Sequence, residues 1–363
     1  MAGRITPLPR HLHPVAWWVW AIGLAVAVSR TTNPLLLGLG IGVAALVVSA
    51  KRGSSPWARA FGLYLWLGVF IVAVRVVLHV LVGYKFGTHR LWTLPSVDLP
   101  GITLLGPVHL EGLLAAAVEG LRLASIIVCI GAANALANPK RLLRALPGAL
   151  HEVGTAVVIA VTVAPQLAES VQRVRRARVL RGDGGTGLRS VGRVALPVLQ
   201  DTLDRSLLLA SAMDSRGYGR RVEQPPAARR LTGALTLVGL AGAAVGTYGL
   251  LDGTAPAATG APMLVGGLAL CALGLWVGGR SVRRTVYRRD RWGGPEWLVA
   301  ASGVVAAVAM FAQQHRDPMA LVLPVDPIGL PALPLLVVGG LLVAALPAFL
   351  APDPPRPRRE VRG

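Results

Sequence analysis

A chain of 363 residues that is 53% hydrophobic and carries a formal charge of +20 excludes two simple classes. Its mean hydropathy of +0.58 is too high for an ordinary soluble domain of this length. Its arginines gather beside the ends of apolar runs, where cytoplasmic loops of membrane proteins collect charge, so the partner they imply is a lipid bilayer and not nucleic acid. Cys129 and Cys271 lie far apart in apolar runs without metal-ligand spacing and read as buried thiols.

Arg4, Arg10 and His11 lead into Trp17-Trp18-Val19-Trp20 with no small-residue cleavage site, so the first run reads as a retained span with an interfacial aromatic belt. Apolar runs at 15–29 and 34–50 are joined by Arg30-Thr31-Thr32-Asn33, the pattern of a tight helical hairpin, and Lys51-Arg52-Gly53 marks a cytoplasmic turn. A full span is expected at 57–82, then a mixed, proline-containing loop to residue 108. Another span at 111–137 returns to the basic Asn138-Pro139-Lys140-Arg141. The run at 146–165 is apolar but interrupted by Pro147, Gly148, Glu152 and Gly154, which suits a shallow or broken span. From 166 to 230 the chain becomes amphipathic and carries thirteen Arg, the mark of a cytoplasmic module.

Four more spans are expected at 231–251, 262–279, 297–312 and 331–350, with a basic loop from Arg280 to Arg291 between the second and third. A basic, proline-rich tail with Arg356, Arg358, Arg359 and Arg362 is expected to be disordered. The expected fold is an all-α polytopic integral membrane protein of about eight spans with cytoplasmic amphipathic helices. It would lie in the cell membrane with both termini cytoplasmic. Its expected organisation is N-terminal spans (1–150), a cytoplasmic helical module (151–230), additional C-terminal spans (231–351) and a tail (352–363).

Charges inside apolar runs are costly and normally face a partner. Arg75 and His79 stand one turn apart in one such run, and Glu119 and Arg122 near the start of the next. An intramembrane ion pair between Arg75 and Glu119 is therefore expected toward the non-cytoplasmic side, either as a clamp between helices or as part of a subunit interface. His11 and His13 have no second ligand pair, so no metal is expected. Asp201, Asp204 and Asp214 are interleaved with Arg205 and Arg216 and read as a solvated helix face. There is no Gly-x-x-x-x-Gly-Lys-Ser/Thr, and the only lysines are Lys51, Lys85 and Lys140, so the chain is no ATPase of that type. Gly-x-Ser-x-Gly and His-Glu-x-x-His are also missing, His151-Glu152 lacking its second histidine. Neither a catalytic residue nor a cofactor is expected.

Two stretches in the polar module stand out, Ala177-Arg178-Val179-Leu180-Arg181-Gly182-Asp183 and Ala212-Met213-Asp214-Ser215-Arg216-Gly217-Tyr218-Gly219. Each follows an apolar stripe at helical spacing: Leu167, Val171, Val174 and Ala177 before the first, and Leu196, Leu199, Leu203, Leu207 and Ala210 before the second. Arg in a last helical turn followed by Gly is an ordinary stop signal. Its repetition in one module points further, to two exposed guanidinium forks suited to acidic pockets on a pair of similar partners.

On these residues the chain resembles the transmembrane T component of energy-coupling factor transporters, the family that includes the cobalt-transport membrane subunit. The second stretch is similar to the family's second Ala-Arg-Gly-like motif, with Ser215 where Ala is common. For the first motif, Leu180-Arg181-Gly182 and Ala177-Arg178-Val179 are both candidate placements. Leu12-His13-Pro14, Asn33-Pro34, Asn138-Pro139 and Ala164-Pro165 agree in kind, and the resemblance covers about residues 10 to 235. It implies a non-catalytic subunit standing between two ABC-type ATPase subunits and a small substrate-binding membrane subunit, for uptake of a vitamin or a transition-metal ion such as cobalt. Leu180, Arg181, Gly182, Ser215, Arg216 and Gly217 would contact the ATPases. Two other readings stay open: an enzyme or basic scaffold in the same membrane, and a stand-alone permease whose last four spans bind substrate.

Overall fold

The computed structural model describes residues 12–53, 60–82, 86–99, 102–137, 141–142, 151–182, 188–217, 226–251, 256–280, 292–325 and 327–354. The expected turn at 138–140, the basic loop at 281–291, His11 and the tail from 355 lie outside them. The chain is an all-α polytopic membrane protein. Its helices are α1 (Pro14–Ser29), α2 (Pro34–Lys51), α3 (Phe61–Val82), α4 (Leu110–Leu136), α5 (His151–Leu180), α6 (Leu188–Ser215), α7 (Pro226–Leu251), α8 (Ala261–Arg280), α9 (Gly294–Arg316), α10 (Leu335–Val343) and α11 (Pro347–Leu350). Among the described residues seven helices are long and apolar enough to cross a bilayer, namely α2 to α5 and α7 to α9. The shorter apolar pieces are α1 and the α10–α11 segment. Of the run expected to be shallow or broken, residues 151–165 belong to α5, one helix of 30 residues that contains Pro165, and 146–150 lie outside the described residues.

The chain divides into two compact units, one formed by residues 1–142 with 289–363, the other by 143–288. In the first, α1 packs on α4 and α9, α2 on α4, α10 and α11, and α3 on α4. Gly23 and Gly303 let α1 and α9 approach backbone to backbone, since a Cβ on either would strike the other helix's main chain. Trp20 is fully buried and its indole N–H donates to the Ala344 carbonyl at 2.9 Å.

Contacts at the helix ends fix how these segments are threaded. His13, which caps α1 through Nδ1, has its ring 5.3 Å from Trp292, which in turn stacks edge-on to Trp297 at 5.5 Å. The starts of α1 and α9 therefore share one side of the unit. Lys51, ending α2, pairs with Asp353 at 2.6 Å just after α11. At the other ends of α1 and α9, Thr31 Oγ1 donates to Leu321 O at 2.6 Å and Asn33 Nδ2 to Ala332 O at 2.5 Å. Glu296 completes the start of α9 by accepting from the Gly293 N–H at 3.0 Å.

The segment expected as a loop after α3 contains strands. β1 (Arg90–Thr93) pairs antiparallel with β4 (Pro107–His109), and β2 (Val97–Leu99) with β3 (Ile102–Leu104), giving one interrupted hairpin between α3 and α4. Leu105 and Gly106 both adopt positive φ at the interruption, which breaks the ladder and hides the strand periodicity in the sequence.

The second unit holds two pairs, α5 with α6 and α7 with α8. The α7–α8 hairpin closes on small residues, with Gly239, Gly242 and Gly246 set against the α8 backbone.

Candidate functional site

Both Arg-Gly stretches end their helices in the same way. At the end of α5 the Arg181 N–H donates to Arg178 O at 3.0 Å and the Gly182 N–H to Val179 O at 3.0 Å. At the end of α6 the Arg216 N–H donates to Met213 O at 3.2 Å and the Gly217 N–H to Asp214 O at 2.8 Å. Each helix tightens to an i→i+3 pattern and then leaves through a left-handed glycine, φ +79° at Gly182 and +74° at Gly217. A side chain with a Cβ would be strained at either glycine. Leu180, Arg181, Ser215 and Arg216 are exposed, Leu180 at 88%.

This geometry bears on the two candidate placements of the first motif. Ala177 through Gly182 corresponds position by position to Ala212 through Gly217, so Leu180-Arg181-Gly182 is the local equivalent of Ser215-Arg216-Gly217. Ala177-Arg178-Val179 lies inside α5, with the Arg178 and Val179 carbonyls spent on the closing turn.

The helices carrying these ends pack on each other. Ser170 on α5 is buried and its hydroxyl donates to Asp201 Oδ2 on α6 at 2.7 Å, while Arg205 Nε donates to Asp201 Oδ1 at 3.0 Å. Val194 and Val198 are buried on that side of α6. The Ser170 hydroxyl bond, then the Arg205 bond, hold the Asp201 carboxyl below the usual aspartate range, with the Arg205 and Arg173 charges assisting against burial. Asp201 keeps a partly exposed setting, 35% exposed, and adds a bond to α5. The apolar stripe of α6 lies elsewhere: Leu196, Leu199, Leu203 and Leu207 point away from α5, each 57–68% exposed. Period alone marks a stripe but not its partner, and α6 has apolar residues on two opposite faces.

Elsewhere in the first unit the structure brings Arg75 and Glu119 together, Nη2 to Oε2 at 3.4 Å, and sets Arg122 Nη2 3.7 Å from Glu119 Oε1. The three charges lie on the α3–α4 pair, and none is fully buried. His79, one turn beyond Arg75, stands against Gly112 instead. A second polar centre went unnoticed in the sequence. Glu111, buried in the first turn of α4, accepts at Oε1 from the Thr88 and His89 N–H groups at 3.1 and 3.0 Å and from His89 Nδ1 at 2.7 Å. It anchors the start of the hairpin segment to α4. The one local signal for it was an acid in a helix's first turn.

Among the described residues no group of three or more His, Cys, Asp or Glu side chains is arranged to hold a metal ion. Comparison with known proteins adds to the geometry. The energy-coupling factor transporter transmembrane protein EcfT of Thermanaerovibrio acidaminovorans is 27% identical over 202 residues, covering 50% of this chain and 68% of that protein. The CbiQ family, described as cobalt transport protein, matches residues 7–226, a stretch holding α1 to α6 and both Arg-Gly ends. The chain belongs to that cobalt transport protein family.

Proposed function

We propose that this protein is the transmembrane coupling subunit of an energy-coupling factor importer, passing conformational change from two ABC-type ATPases to a small substrate-binding membrane subunit. The observation that carries the proposal is the local identity of the two helix ends, exposed Arg followed by a left-handed glycine on each of two joined helices. Two copies of one contact suit two copies of one partner. Arg181 and Arg216 present five-donor forks to acidic pockets, each at a helix C-terminus where the dipole favours a cation. Gly182 and Gly217 set the exit angle. The related EcfT protein, named as an energy-coupling factor component, supports the same assignment.

The exposed leucine face of α6 is the surface offered to the substrate-binding subunit, because it lies opposite the face used against α5. The protein itself supplies no catalysis in this scheme; hydrolysis belongs to the ATPases. The cargo is a vitamin or a transition-metal ion, recognised by the substrate-binding chain. With α5 and α6 cytoplasmic and eight crossings, both termini are cytoplasmic. The pairing of α1 with the α9 start, and of Lys51 with Asp353, agrees with that threading. Segment 151–230 is then the coupling module. Arg75 and Glu119 act as a clamp within the α3–α4 pair.

The test is capture of the two ATPases by the purified protein, comparing wild type with Arg181→Glu, Arg216→Glu and the double variant. Each single variant should weaken capture at least tenfold and the double should abolish it, with helix content unchanged. Full capture by the folded double variant would reduce both ends to helix stops and remove the assignment.

A further inference from the structure

We infer that Asp201 is the positioning residue that locks the crossing of α5 and α6, so that the two Arg-Gly ends are presented at a fixed separation. The inference rests on the coupling role proposed for those ends.

Each helix carries a proline near the Ser170–Asp201 contact. Pro165 lies five residues ahead of Ser170 on α5, and Pro197 four residues ahead of Asp201 on α6. Each proline lacks the N–H that would close the preceding turn, so each helix bends most easily there. Beyond the contact little holds the α6 arm: residues 203–212 are all exposed. The direction of that arm relative to α5 is therefore set at the contact.

The lever lengths make a small change there matter. Arg181 lies eleven residues beyond Ser170 and Arg216 fifteen beyond Asp201, about 16 Å and about 22 Å at 1.5 Å per residue. A change of about 10° in crossing angle would move the tips by about 3 and 4 Å, enough to break a hydrogen-bonded contact with a limit near 3.2 Å. Asp201 suits the task because its two oxygens are divided. Oδ2 takes the Ser170 hydroxyl across the helices, and Oδ1 takes Arg205 one turn along α6, which keeps the carboxylate from turning away. Ser170 is short enough to let the two backbones close on each other.

The experiment places spin labels at Val179 and Asp214, both exposed, in full-length protein with Cys129 and Cys271 replaced by alanine, reconstituted in nanodiscs. It reads the width of the label-to-label distance distribution in otherwise wild-type protein and in Asp201→Ala, Ser170→Ala and Asp201→Asn. Asp201→Ala and Ser170→Ala should broaden the distribution at least twofold. Asp201→Asn keeps one acceptor for Ser170 but loses the second for Arg205, so it should broaden the distribution less than Asp201→Ala. An unchanged width in Asp201→Ala overturns the inference, as does equal broadening in Asp201→Asn. If Asp201→Ala loses helix content, Ser170→Ala decides alone: broadening supports the lock and an unchanged width overturns it. Capture of the ATPases by the unsubstituted protein is measured in parallel. Its failure would remove the coupling role while leaving the distance result to stand or fall separately.

Discussion

At the scale of single residues, Asn33 shows how much one side chain does at the side of the first unit where α1 ends. It is fully buried; its Oδ1 caps α2 by accepting from the Leu35 N–H at 3.0 Å, while Nδ2 holds the Ala332 carbonyl. Loss of the cap costs about 1 kcal/mol, and loss of the hydrogen bond to the Ala332 carbonyl about 0.5–1.5 kcal/mol more. Asn33→Ala is expected to lower stability by about 1.5–2.5 kcal/mol in total, and Asn33→Ser, which keeps a capping oxygen, by less. Thermal unfolding in detergent would rank the three proteins; equal midpoints for Ala and Ser would show that the cap contributes nothing. The turn at Asn33-Pro34 was readable because cap and proline are neighbours in sequence. Its partner 299 residues away was not, since a single long-range bond leaves no periodic trace.

At the scale of helices, period and stop signals gave the C-terminal ends of α5 and α6 but not that α5 runs unbroken from His151, and the repeated Arg-Gly is visible without any structure. Which face of each helix meets the other was hidden. The leucines of α6 advertise a contact and are exposed, whereas the contact made is a serine with an aspartate. That contact has a pH signature. The Asp201 carboxyl is held below its usual 3.8 first by the Ser170 bond, present only when α5 and α6 are joined, and then by Arg205 on α6 itself. Native structure therefore favours the ionised form. The stabilisation is complete above the ordinary value and disappears as pH falls through the lowered one. Wild type should melt above Asp201→Asn at pH 6 to 7, and the gap should narrow only as pH falls below the ordinary aspartate value, as Asp201 becomes protonated through its lowered one. Circular dichroism melts of the two proteins across that range would check it; a gap independent of pH would mean that the charge of Asp201 adds nothing to the crossing.

At the scale of the whole molecule, hydropathy located the apolar helices but not their company. Residues 292–354 follow the family-matched stretch in sequence, yet α9 to α11 pack with α1, α2 and α4 and supply Val299, Ala306, Met310, Val337 and Leu341 to that core. They also hold the partners of Trp20, Thr31 and Asn33. The α7–α8 hairpin has a different standing: its close contacts run between its own two helices. Removing an even number of crossings preserves the sidedness of everything that follows, so deleting 226–280 behind a short polar linker leaves α9 to enter from its original side. Ending the chain at 225 instead strips the core of a third of its framework and orphans a buried indole. The hairpin deletion is expected to shift the melting midpoint of the first unit by less than about 5 °C, while truncation at 225 should lower it by at least about 10 °C or abolish the transition, at roughly 2–4 °C per kcal/mol for a domain of this size. Buried tryptophan fluorescence on heating would read both, since Trp17 and Trp20 lie in that core. A truncated protein that melted like the full chain would make α9 to α11 an appendage; a hairpin deletion that unfolded the first unit would show that α7 and α8 carry its stability after all.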